Sequence, residues 1–117
     1  MILERKETKK DNGDIVIEGY YDSSNIIKTM YVPSQNHLFI FFKNKHVYSY
    51  SGIDKQLFEN FEKAESQGKF FISEIRNKSK EYNYFREYKL YDFEQQDIMD
   101  IIEQLKSTEK PENKNIL

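Results

Sequence analysis

The run Leu38-Phe39-Ile40-Phe41-Phe42, followed across Asn44-Lys45 by Val47-Tyr48-Ser49-Tyr50, constrains this chain more than any other stretch. Large apolar and aromatic residues bounded by polar ones suit a pleated, buried surface, so two strands of a hairpin are predicted. Successive strand side chains point to opposite faces. Leu38, Ile40 and Phe42 therefore share one face, and Phe39 and Phe41 the other. A sheet face that carries two phenylalanines must be covered or used, by the N-terminal hairpin or the C-terminal helix of the same chain, by a second subunit or partner, or by a ligand. The turn decides where the tyrosines go. A two-residue loop at Asn44-Lys45 pairs Phe41 with Tyr48 and Phe39 with Tyr50. A bulged loop shifts the register by one and sets both tyrosines beside Ile40 and Phe42.

The neighbouring segments extend the same pattern. Asn12-Gly13 marks a tight turn, and Asp14 to Tyr21 reads as a strand with Gly19 as a candidate bulge. Strands over 26–32, 38–43 and 47–51 are joined by short turns, which predicts an antiparallel meander. The apolar period then lengthens. Asp54 is a candidate N-cap for a helix over 55–66 carrying Leu57, Phe58, Phe61 and Ala64, with Gly68 as its left-handed stop. A second short helix over 70–77 carries Phe71 and Ile75. Tyr82 to Tyr88 alternates imperfectly, as a strand can. Asp92 with Gln95 matches a capping box. The helix that follows, over 93–105, presents Ile98, Ile101, Ile102 and Leu105 on one face. The expected class is α+β: a small antiparallel β-meander sheet packed with two short helices, plus an N-terminal hairpin and a C-terminal amphipathic helix. One domain over 1–106 and a polar, flexible tail over 107–117 are expected.

Composition narrows the function classes. With 117 residues the chain has material for one core. Eighteen residues are Phe or Tyr, which argues against full disorder. No run approaches the ~18 apolar residues of a spanning helix, so no membrane partner is expected. There is no cysteine, which removes disulfides, thiolate nucleophiles and Cys-ligated zinc. A cysteine-free chain without a signal-peptide core suits a cytoplasmic setting, and the chain reads as complete. The net charge is -2, so a globally basic nucleic-acid binder is not indicated. Charge is nonetheless uneven: residues 69–89 hold six Lys or Arg against three Glu, and residues 90–117 are net acidic. The basic stretch reads either as an ordinary solvated surface or as a patch for phosphate groups.

Catalytic signatures are missing from the sequence. His37 and His46 begin different strands of one hairpin and so fall at opposite ends of it, which disfavours a shared metal or an acid–base pair. No Gly-rich phosphate loop, His-x-x-x-His pair or Ser-centred elbow occurs. Glu59 with Glu62 and Asp97 with Asp100 read as solvated helix faces. Neither an enzyme nor a cofactor is expected.

Ser23-Ser24-Asn25-Ile26, Leu38-x-Ile40-x-Phe42-Lys-Asn, Val47-Tyr48-Ser49-Tyr50, Phe58, Ala64-x-Ser66-x-Gly68-Lys69-Phe70-Phe71 and Ile75-Arg76 together resemble the KTSC domain. That family is named for a small domain at the C-terminus of some lysyl-tRNA synthetases, and it also occurs alone in bacterial and phage proteins. The likeness spans roughly residues 22–84. It implies a small sheet with two following helices, no known catalysis, and Tyr48 and Tyr50 on the face of Leu38, Ile40 and Phe42. It therefore favours the bulged register. Phe39 and Phe41 depart from the family, which commonly has polar residues there.

Tyrosine offers a ring for base stacking and a hydroxyl for hydrogen bonding, and rings flanked by cations bind nucleotides with little sequence preference. The candidate ligand residues are Tyr48, Tyr50, Lys69, Arg76, Ser24 and Asn25, with Lys78 and Lys80 as further cations. Lys69 and Arg76 are expected to flank a concave surface that includes Tyr48 or Tyr50. The plainer alternatives are that the tyrosines pack a core with their hydroxyls at its rim, and that Ser24 and Asn25 serve a turn. The expected function is a non-catalytic module recognising RNA or a small nucleotide-like ligand, in a phage-type setting a sequestering or host-factor-blocking protein. The competing expectation is a protein-interaction or assembly module, as a homodimer or higher oligomer or with another partner, using Phe39, Phe41, Ile98, Ile101, Ile102 and Leu105.

Overall fold

A computed structural model describes residues 1–78 and 81–108. Six strands form one sheet in strict sequence order: β1 (Ile2–Lys9), β2 (Ile15–Tyr21), β3 (Ile26–Val32), β4 (His37–Phe42), β5 (His46–Ser51) and β6 (Tyr84–Lys89). Every neighbouring pair is antiparallel, so the α+β meander expected from the short turns is what forms. Between β5 and β6 run α1 (Lys55–Lys63) and α2 (Gln67–Phe70), and α3 (Asp92–Thr108) closes the described chain. No helix among the described residues is long and apolar enough to cross a membrane.

The β4–β5 turn resolves the register. Lys43, Asn44 and Lys45 form a three-residue loop in which the Lys45 N–H donates to the Phe42 carbonyl at 3.0 Å and Lys45 takes φ +78°. A turn followed by a left-handed residue is the common three-residue hairpin. It pairs Ile40 with Tyr48 and Leu38 with Tyr50, as the bulged alternative requires.

Each face of the sheet has its own core. On the first face Ile17, Tyr21, Tyr31, Leu38, Ile40 and Tyr50 pack against Phe58, Phe61, Phe71 and Ile75 of the α1–α2 segment. Tyr31 stacks on Phe58 at 4.2 Å and donates to the Ile53 carbonyl at 2.7 Å. On the second face Tyr20, Ile27, Phe41 and Val47 pack against Leu90, Ile98 and Ile102, so the C-terminal helix covers the face that the phenylalanines made apolar. Ile26 and Ile27, neighbours on β3, point to opposite faces and so serve the two cores.

Two glycine expectations are corrected. Gly68 does not end α1, which stops at Ala64. The segment restarts with the Ser66 hydroxyl accepting from the Lys69 N–H at 3.2 Å. Gly68 lies inside α2, where a Cβ would sit 2.5 Å from Asn25 Oδ1: the residue is small because another chain segment presses on it. Gly19 is no bulge. It pairs in register with Arg5 and Thr29, and it leaves room for the Tyr21 phenol.

The second helix begins earlier than residue 70 and changes winding. After Phe70 it widens to a π-turn over Phe71–Ile75 and tightens to a 3-10 turn over Arg76–Lys78. The last helix runs on to Thr108, past the boundary expected at residue 107; the rest of the expected tail, residues 109–117, and Lys80 lie outside the described residues.

Candidate functional site

Between β4, β5 and β6 and the α2 segment lies a cleft of about 750 Å³. Because the bulged turn turns both tyrosines to the first face, Phe42, Tyr48 and Tyr50 line its sheet side. Phe71, Ile72 and Arg76 line the helical side, and the widened winding of that segment carries them. The rim comes from two loops, with Ser24 and Asn25 on the β2–β3 connection and Lys43 and Asn44 in the β4–β5 turn. Tyr84 of β6 completes the lining.

The rings are held edge to face at the base of the cleft and stack at its mouth. Phe42 meets Tyr48 at 5.8 Å and 89°, and Phe71 meets Tyr50 at 5.5 Å and 74°. Tyr84 instead lies nearly parallel to both tyrosines, 6.4 Å from Tyr48 and 5.9 Å from Tyr50. Tyr50 is 4% exposed while Tyr84 is 54% exposed, so the aromatic surface runs from core to solvent. Burial, then the neighbouring Tyr48 and Tyr84 phenols, push the Tyr50 hydroxyl up to about 12, with Arg76 partly opposing them. At neutral pH Tyr50 is a neutral donor.

The cations here are not neutralised. Arg76 and Lys43 are exposed and form no ion pair among the described residues. Two nearby acids in the sequence pair with other lysines: Glu74 with Lys78 at 3.3 Å, and Asp92 with Lys45. At the rim, the Ser23 hydroxyl accepts weakly from the Ile26 N–H at 3.4 Å and donates to Asn25 Oδ1 at 3.3 Å, which orients the Asn25 amide over Gly68. A concave apolar floor with a few convergent polar groups is the usual form of a small-molecule site.

Five of the six residues nominated from sequence meet here: Tyr48, Tyr50, Arg76, Ser24 and Asn25. Lys69 does not. It is exposed outside the cleft, and its backbone N–H is taken by Ser66. The helix expected from residue 70 begins at Gln67 and its start is already capped by Ser66, and Lys69 does not join Arg76 in lining the cleft. Sequence reasoning passes over Tyr84, Lys43, Asn44, Phe71 and Ile72 as ligand residues. Tyr84 had a signal in the alternation of 82–88, and Lys43 in following Phe42 directly.

The residues nominated for a protein contact lie mostly against each other. Phe41, Ile98 and Ile102 are buried within the chain, with Phe39, Ile101 and Leu105 partly buried beside them. His37 pairs with Ser51 and His46 with Lys89, at opposite ends of their ladders. Among the described residues no cluster of three metal-ligating side chains occurs.

The KTSC domain family model matches residues 22–82. That span includes every cleft residue except Tyr84. A crystal structure of a KTSC domain protein from Yersinia pestis aligns with a TM-score of 0.55 at 24% identity, covering 73% of this chain and 100% of the other. No curated protein matches the chain.

Proposed function

The chain belongs to the KTSC domain family, and we propose that it is a non-catalytic binding module that takes a nucleotide, free or within RNA, into the cleft between the sheet and α2. The observation that carries this reading is the convergence of stacked tyrosines with an unpaired Arg76 in one concavity. A base has a planar face that the Tyr84 and Tyr48 rings match by stacking, worth about 1–3 kcal/mol per base. The neutral Tyr50 hydroxyl and the Asn25 and Asn44 amides supply directional donors and acceptors for base or sugar. Arg76 and Lys43 supply charge for phosphate, and a guanidinium does so with two parallel hydrogen bonds.

The competing reading, a protein-interaction module built on Phe39, Phe41 and α3, draws less support, because the buried residues of that set already cover one another. A phage-type sequestering role remains compatible with a binder of this kind and rests on the same cleft.

Isothermal titration of the purified protein with a panel of mononucleotides at low salt tests the reading. Saturable binding is expected, and Arg76→Ala and Tyr48→Ala should each weaken it by about tenfold, or ~1.4 kcal/mol. Both positions are at least partly exposed, so the fold should survive. No binding by any mononucleotide or short RNA at low salt overturns it.

A further inference from the structure

The aromatic and cationic surface does not stop at the mouth of the cleft. Tyr84 opens it onto β6, an edge strand whose six residues are all exposed. Past Tyr84 on the same face stands Arg86, opposite Tyr48 in the ladder, with its guanidinium 3.4 Å from His46 Nε2. His46 in turn meets the Tyr48 ring edge-on at 6.4 Å. Lys89 pairs with His46, so its charge lies at the far end of the same strip. Neither Arg86 nor Lys89 forms an ion pair among the described residues. The carboxylate between them, Glu87, is engaged by Ser49 at 2.6 Å on the other face of the sheet.

A protein edge strand is commonly blunted by charge, and scattered charges of both signs do that. Here the two cations lie in line with rings that lead into a cleft, the strand's own acid, Glu87, turns away, and Asp92 beyond Lys89 is ion-paired with Lys45. We infer that β6 is a landing strip for a single-stranded oligonucleotide, with one base seated in the cleft and the following phosphates running over Arg86 to Lys89. This inference rests on the cleft being a nucleotide site. From Tyr84 to Lys89 the strip is roughly 17 Å long at ~3.3 Å per strand residue. That is several times the ~3.4 Å rise between stacked bases, so a mononucleotide leaves most of it bare. Rings and cations alternating along an open groove are how single strands are held without sequence readout.

The test is a length series: uridine monophosphate against oligouridylates of two, four and six nucleotides, with the parent and with Arg86→Ala/Lys89→Ala. Both substituted side chains are exposed, and an unchanged thermal melt checks that the fold is intact. The tetranucleotide is expected to bind at least about tenfold more tightly than the monophosphate. The double variant should lose that gain while keeping the parent's affinity for the monophosphate. Its salt slope with the tetranucleotide should fall by about 1.4, at ~0.7 for each phosphate contact on a single strand. Equal affinity for one and four nucleotides overturns the landing strip and leaves the cleft reading standing. Length dependence that survives the double variant, or inorganic polyphosphate binding as tightly as the tetranucleotide, also overturns it. If nothing in the series binds, the cleft reading fails first.

Discussion

Replacing Gly19 with alanine should destabilise the protein even though the residue sits in a regular strand with no unusual backbone angle. An alanine Cβ there would lie 2.5 Å from the Tyr21 hydroxyl oxygen and 2.9 Å from its Cζ. Cβ atoms essentially never approach closer than 3.0 Å and nine in ten stay beyond 3.4 Å, so the phenol must retreat by at least half an ångström. It has nowhere easy to go. Tyr21 is 1% exposed, meets Phe61 edge-on at 5.5 Å, and shares a 2.7 Å hydrogen bond with the fully buried Thr29 hydroxyl. Overpacking of this kind costs about 1–3 kcal/mol. The lost hydroxyl pair adds about 1 kcal/mol. The stiffer unfolded chain returns only about 0.4–1 kcal/mol. The net loss is then about 1–4 kcal/mol, a fall in melting temperature on the order of 10 °C at the middle of that range for a domain of this size. Urea and thermal denaturation followed by circular dichroism measure it. Tyr21→Phe supplies the internal check. Alone it should cost stability by orphaning Thr29, whereas in the Gly19→Ala background it should restore stability by removing the nearest atom of the clash. A Gly19→Ala protein as stable as the parent, or Tyr21→Phe costing the same in both backgrounds, would refute the reasoning.

Ile102→Asp puts a carboxylate at a position 4% exposed between α3 and the second sheet face, and should cost at least about 3 kcal/mol in chemical denaturation. His46 is held below its ordinary value of 6.5 by partial desolvation, then by Arg86 and Lys89. The unfolded chain therefore takes up the proton first, stability falls as pH drops through the window below 6.5, and His46→Gln should flatten that fall. The imidazole resonances of His46 should titrate below 6.5 in the free protein and move upward when a phosphate-bearing ligand offsets the two cations. Gly68→Ala should separate stability from binding. Its Cβ meets the end of the Asn25 side chain, which can swing away, and alanine favours the helix by about 1 kcal/mol, so the melt should hardly change. Mononucleotide affinity, read by titration, should nevertheless drop severalfold because the Asn25 amide leaves the rim.

The first five strands are legible in the sequence because period-two apolar patterns and short turns leave few ways to pair them, whereas β6, reached across the α1–α2 segment, shows only as the imperfect alternation of 82–88. What the pattern omits is what lies across the sheet. Gly19 looks like a weak point in a strand until Tyr21 and Thr29 are placed beside it. Gly68 looks like a helix stop because it follows an apolar helical run, yet its smallness answers to Asn25, more than forty residues away. Glycine admits both backbone freedom and close approach, and only the tertiary partner distinguishes them. The apolar stripe of α3 and the doubly apolar β4 were each visible alone. That they are two halves of one contact follows from the ladder register, which sends Phe41 and Val47 to the same side.

The site is legible to the extent that its residues share one local register. Tyr48 and Tyr50 are two apart on a strand, so a single turn geometry places both. Ser24 and Asn25 are adjacent, so one loop places both. Lys69 and Arg76 lie seven residues apart in a segment whose winding changes from α to π to 3-10, and a position counted at one pitch no longer predicts the side reached at the end. With Ile72 and Arg76 on the cleft side of the wider turn, Lys69 is left one face away. The cation that replaces it, Lys43, needs no long-range placement: it is the first residue beyond a strand whose last ring, Phe42, already lines the cleft. In this cleft, then, the basic residue just past the end of an aromatic strand is placed by the strand itself, whereas one on a helix must first be folded back across the sheet.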